Sequence, residues 1–161
     1  MSTTIEQDQL MDVLETTKPA SLSQLRVADA MHPGVFTCSL TTPLRSVARM
    51  MATHRIHCVV VDEPDGGLVG ETVPWGIVSD VDVVSVAATQ DVDEWTAGRT
   101  AVSPIVMIPP DETLERAAGL MREYGTAHLI VVDRESMEPL GVVSTLDIAA
   151  LLAGLPRQAA P

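Results

Sequence analysis

Apolar positions along the chain change period several times, and each change marks an element. Leu44, Val47, Ala48 and Met51 fall at i, i+3, i+4 and i+7, one stripe of an amphipathic helix. Thr42-Pro43 precedes it, so the helix is predicted to open there with threonine as N-cap and proline at the first helical position. Three apolar runs read as strands: Val35-Phe36-Thr37-Cys38, then Ile56 with Cys58-Val59-Val60-Val61, and Trp75 to Val78. The Gly-, Pro- and Asp-rich stretch 62–74 predicts a hairpin-like connection. From Ser79 to about Gln90 the pattern is helical again. Val27 to Met31 reads as a helical turn stopped by His32-Pro33-Gly34. Upstream, Ile5, Leu10, Met11 and Leu14 give only a short amphipathic helix or disorder.

The pattern then restarts 70 residues later. Val35 corresponds to Ile105, the stripe to Leu114, Ala117, Ala118 and Met121, and Val59–Val61 to Leu129–Val131. Beyond the connecting loop the offset falls to 65, so that Gly76, Ser79 and Asp82 correspond to Gly141, Ser144 and Asp147. Each copy reads β-α-β-β-α and is marginal in size for folding alone. The expected fold is therefore α/β (α+β), two repeats packed sheet against sheet about a pseudo-twofold axis. The expected organisation is an N-terminal extension over 1–24, helical or disordered, and a first repeat over 25–90. A linker and the start of the second repeat occupy 91–104, the second repeat 105–154, and a tail 155–161.

The doubled segment Gly-x-x-Ser-x-x-Asp carries the chemistry. In each copy a strand runs into a helix whose N-cap is the serine and whose N3 residue is the aspartate, the spacing of a capping box. Such an end presents unpaired N–H groups and the positive pole of the helix dipole, which suit an anion such as phosphate. A purely structural reading stands beside this: the residues only cap their helices, for about 1 kcal/mol each. The two are compatible, because a cap releases its donors when a ligand takes them over.

Composition narrows the classes of function. With a formal net charge of −12, the chain repels nucleic acid and anionic lipid at long range. Nine of its ten basic residues are arginines, so a local anion site remains open. Cys38 and Cys58 lack Cys-x-x-Cys spacing and are expected as free thiols in a reducing cytoplasm, and no apolar run of signal or membrane-spanning length opens the chain. His54, His57, Cys58 and Cys38 make a poor metal cluster, since His57 and Cys58 are adjacent on a strand and point to opposite faces. There is no nucleophile elbow and no phosphate loop, the sole lysine being Lys18, so no enzyme is expected. The helices containing Val81-Val83-Val84-Val86-Ala87 and Leu146-Ile148-Ala149-Leu151-Leu152 are apolar on many sides. Either they are buried between the two halves, or their outer face, with Met50 and Leu120, joins two chains.

These motifs resemble a tandem pair of cystathionine-β-synthase (CBS) domains, a Bateman module. The resemblance rests on Val27-Ala28-Asp29-Ala30-Met31, on His54-Arg55-Ile56-His57 before the valine strand, on Leu129 to Val132 with Asp133, and on both Gly-x-x-Ser-x-x-Asp copies. It covers about residues 24–153. It implies regulation by an adenosine ligand (AMP, ADP, ATP or S-adenosylmethionine) held between the repeats, energy sensing, and a disc-shaped homodimer. Carried over, Asp82 and Asp147 bond the ribose hydroxyls and Ser79 and Ser144 approach phosphate. The backbone of Val35 to Thr37 and of Ile105 to Met107, with Val59 and Leu129, walls the adenine, and His57 and His128 count among the ligand-binding residues. Where many phosphate-gripping members have His-Arg, this chain has His57-Cys58 and Ala127-His128, so the arginine fork is missing from both copies. AMP or another ligand of low charge is therefore expected ahead of ATP, with the first site the better place for phosphate. No cofactor is required on this reading. The alternative is a ligand-independent adaptor whose fold only presents a surface to a regulated partner.

Overall fold

The structure is a computed structural model that describes residues 21–64, 72–102 and 105–155. Most of the N-terminal extension and tail, and the middle of the 62–74 connection, lie outside the described residues. In chain order the elements are α1 (Val27–Ala30), β1 (His32–Pro33), β2 (Thr37–Ser39), α2 (Leu44–His54), β3 (Cys58–Pro64), β4 (Thr72–Ser79) and α3 (Asp80–Thr89). A short 3-10 turn at Val92–Glu94 leads to α4 (Ala97–Thr100), β5 (Met107–Ile108), α5 (Leu114–Tyr124), β6 (His128–Val132), β7 (Pro139–Ser144) and α6 (Thr145–Leu152).

Two sheets result, one ordered β2-β3-β4 and the other β1-β7-β6-β5. In each, a parallel pair (β2 with β3, β5 with β6) is joined to an antiparallel one (β3 with β4, β6 with β7). Alternation along the strands sorts side chains onto two faces. Val59, Val61 and Val78 face the helices of the first repeat, packing on Leu44, Val47 and Met51. Leu129, Val131 and Val143 do the same in the second, against Leu114, Ala117, Leu120 and Met121. The intervening residues Cys58, Val60, Ile77, Ile130 and Val132 form one cluster with Val35, Ile105 and Val142, which joins sheet to sheet. The expected pseudo-twofold packing of two repeats is this third cluster.

The halves also exchange segments. Val27, Ala30 and Met31 sit in the core of the second repeat, while Ala97 and Ala101 pack in that of the first. The backbone repeats the exchange at the same offset: Leu114 N–H donates to the Leu25 carbonyl and Val27 N–H to that of Glu112, just as Leu44 donates to Trp95 and Ala97 to Thr42. These bonds explain a correction. Thr42 does not cap α2; Pro43 holds the N-cap place without a side-chain bond, and the Trp95 carbonyl serves the free N–H of Leu44. In the second repeat Thr113 caps α5 with its own side chain, accepting from Arg116.

The apolar helices are not buried between the halves. α3 buries no residue, and Val81, Val84 and Leu146 stand 68%, 67% and 62% exposed. Leu120, expected beside them on the outer face, is instead buried in the second core. No helix among the described residues is long and apolar enough to cross a membrane.

Candidate functional site

Strands β4 and β7 deliver the motif serines to the N-termini of α3 and α6, because Ser79 and Ser144 keep extended backbone there before the helix begins. Both capping boxes are complete. Ser79 N–H and Oγ donate to Asp82 Oδ2 at 2.7 and 2.6 Å, and Asp82 N–H returns to Ser79 Oγ at 3.3 Å. Ser144 N–H and Oγ each donate to Asp147 Oδ2 at 2.7 Å, with 3.2 Å for the return bond. Each serine hydroxyl is thus turned onto its own aspartate, and donates to a phosphate only by turning its hydrogen away from that carboxylate.

The second carboxylate oxygens differ. Asp147 Oδ1 accepts from His32 Nε2 at 2.7 Å, whereas Asp82 Oδ1 has no hydrogen-bond partner among the described residues. His32 arrives on the exchanged segment, through the β1–β7 pairing that sets it opposite Val142. Its equivalent beside the first motif is Val102, set opposite Ile77.

Between the motifs lies a group of imidazoles and carboxylates. His57 Nδ1 donates to Asp80 Oδ2 at 2.8 Å, and this bond holds the Asp80 carboxyl below its usual range. His128 is largely buried, and desolvation lowers its pKa against the raising influence of Asp80, Asp147 and Asp82. A neutral imidazole there keeps its ring acceptor and a single donor. Cys58 is also buried, which pushes its thiol up to about 12 and leaves it unreactive at neutral pH. No group of three or more His, Cys, Asp or Glu among the described residues is placed to hold a metal ion.

The remaining candidates divide. Thr37 and Met107 lie on the exposed parts of β2 and β5, Met107 at 39% exposure. Val59 and Leu129 are wholly buried on the helix-facing side of their strands, so their side chains are closed off from any cleft. The residues that pattern reading passed over are Asp80, which holds His57, and His32, which holds Asp147. Asp80 fills one of the unspecified places inside the Gly-x-x-Ser-x-x-Asp motif, and His32 is found only by comparing it with Val102 across the repeat.

Arg55 is the cation next to the first site in sequence. It terminates α2 in the left-handed conformation, φ 51°, where the second repeat has Gly125 at φ 62°. A side chain in that region costs roughly 1 kcal/mol, which glycine avoids. The Arg55 guanidinium makes no ion pair among the described residues.

The family model for the CBS domain matches residues 27–89 and 99–154. A curated relative, the homoserine O-acetyltransferase of Methanosphaerula palustris, is 27% identical over 131 residues, covering 81% of this chain. The chain spans only 25% of that relative's length. Among solved structures, the CBS domain pair of protein MJ0100, in complex with 5'-methylthioadenosine and S-adenosyl-L-methionine, superposes with a TM-score of 0.66 at 22% identity. The match covers 80% of this chain and 96% of that one. The CBS domain of a bacterial CNNM/CorC-family Mg2+ transporter in complex with ATP gives 0.64 at 20% identity, covering 84% and 92%.

Proposed function

The chain belongs to the CBS-domain family, whose domains are regulatory units, and from that premise we propose that it binds an adenosine ligand between its repeats and reports occupancy through shape. The observation that carries the proposal is Asp82, a carboxylate fixed by its capping box with Oδ1 left to accept from a ribose hydroxyl. Ser79 and the first N–H groups of α3 supply donors for a phosphate beside it. Adenosine-derived ligands in the MJ0100 pair and ATP in the transporter domain support the ligand class.

Electrostatics favours the ligands of low charge. Asp80, Asp82 and Asp147 all act on His128, and the two places where an arginine fork would stand hold no guanidinium. Each further phosphate adds repulsion that only Arg55 is near in sequence to offset. AMP therefore ranks above ADP and ATP, with S-adenosylmethionine sharing the adenosine contacts. A bound ligand touching both repeats favours one arrangement of the halves, by its difference in affinity between arrangements.

Thermal unfolding against AMP, ADP, ATP, S-adenosylmethionine and NADH tests this. A ligand at 100 times its Kd adds about 2.7 kcal/mol, a shift of several degrees for this chain. The expected result is a shift with AMP that shrinks as phosphates are added. No shift with any of them at millimolar concentration sinks the proposal and favours the ligand-independent adaptor.

The exposed apolar faces of α3 and α6 belong to the same reading. We infer that they join two chains, so that occupancy is passed on as a change in the dimer to a regulated partner. Val81→Arg with Leu146→Arg is expected to halve the mass seen by light scattering while leaving the fold intact, since both side chains are exposed within the chain. An unchanged mass overturns the dimer face.

A further inference from the structure

The two motif sites are related by the repeat, yet the segments that cross into them are not alike. β1 lies antiparallel to β7, with His32 opposite Val142 and Pro33 opposite Gly141. Gly34 N–H extends the pairing to the Leu140 carbonyl at 2.8 Å. His32 is therefore carried on a fixed backbone, and its ring reaches the carboxylate of a helix on the other repeat. The Asp147 side chain is 14% exposed and the His32 side chain 35%. Asp147 now has both oxygens engaged: Oδ2 by Ser144, Oδ1 by His32.

The same backbone device stands at the first motif without the imidazole. Val102 exchanges both backbone hydrogen bonds with Ile77, at 2.9 and 3.2 Å, in the place His32 takes beside Val142. Its side chain is aliphatic, 56% exposed, and has nothing to donate. A ribose hydroxyl approaching Asp82 meets a free acceptor. One approaching Asp147 must displace a charge-compatible donor already held at 2.7 Å.

We propose that the two sites are unequal: the Asp82 site takes the adenosine ligand, and His32 is the specificity-determining residue that withholds the Asp147 site by occupying its ribose acceptor. The inference rests on the adenosine reading above, and goes beyond it in assigning stoichiometry and the residue that sets it.

Titration calorimetry of the full chain with AMP tests it. The wild type is expected to bind one AMP per chain. Asp82→Asn, which keeps an acceptor for Ser79 but loses the charge, is expected to weaken that binding tenfold or more. His32→Val copies the residue at position 102 and is expected to raise the count to two per chain; His32→Ala carries the same expectation should the valine variant fail to fold. Two equal sites in the wild type, or one site in both the wild type and the His32 variants, overturn the role of His32 and leave the adenosine reading standing. Absence of AMP binding in the wild type and the His32 variants alike overturns that reading itself.

Discussion

A chain shortened to begin at Val35 is expected to lose the folded second repeat, although it keeps every residue from 105 to 154. The missing piece contributes Val27, Ala30 and Met31, exposed by 0%, 2% and 9%, to the core built around Leu114, Leu129 and Val143. It also holds the Leu25 and Leu22 carbonyls that accept from Leu114 and Glu115 at the start of α5, and the whole of β1. Withdrawing two large apolar side chains costs roughly 1.5–3 kcal/mol each, and losing the two backbone hydrogen bonds roughly 0.5–1.5 kcal/mol each. The total approaches the roughly 5–15 kcal/mol by which a domain of this kind is stable at all. Urea unfolding followed by circular dichroism checks it. A shortened chain with an unchanged midpoint would show that the exchanged segment is a passenger. Adding a peptide spanning 21–34 is expected to restore the transition, because folding of the second repeat is then coupled to binding the Val27, Ala30 and Met31 side chains that its core lacks.

The second large effect is at one glycine. A methyl group on Gly141 would overlap the His32 carbonyl oxygen and stand 2.6 Å from Met31 Cε. The obstacle is backbone, held in register by β1–β7, so Gly141→Ala must push the exchanged strand away. The expected loss is about 3 kcal/mol, at the upper end for overpacking. Gly76→Ala meets Ala101 Cβ and the Val102 carbonyl at 3.0 Å, a looser fit, so about 1 kcal/mol is expected there. Gly119, inside α5, has nothing within 4 Å of where a methyl group would stand, and Gly119→Ala should stabilise by about 0.5–1 kcal/mol. Urea midpoints of the three variants check the order. If Gly76→Ala proved the more damaging, close approach of the exchanged strand would not be why the motif begins with glycine.

The fold was readable where period and repeat agree. Val59, Val61, Leu129 and Val131 face helices while Val60, Ile130 and Val132 face the other sheet, as alternation along a strand requires. Ser79 with Asp82, and Ser144 with Asp147, form the capping boxes that their spacing announces. The exchange was not readable, because it is a choice between two chemically similar cores. Val27-Ala28-Asp29-Ala30-Met31 and its counterpart Ala97-Gly98-Arg99-Thr100-Ala101 share little beyond small size, and nothing in either names the repeat it joins. Thr42 misled for a related reason: its place before a proline is that of an N-cap, but the donor it would serve is taken by Trp95, from a segment far downstream. The match between the two repeats likewise does not say which face of a strand a residue occupies, and Val59 and Leu129 turn their side chains to the helices.

The exchange of segments also sets an order on synthesis. Residues 27–33 leave the ribosome well ahead of their partners on β7 and α6, which are made more than a hundred residues later. At roughly 5–20 residues per second that interval is of the order of ten seconds. For that time Val27, Ala30 and Met31 have no core to enter, while the first repeat can close as soon as Ala97 to Val102 emerge. Strand β1 can be placed only once β7 exists, and until then the nascent segment before it holds apolar side chains with no core to cover them.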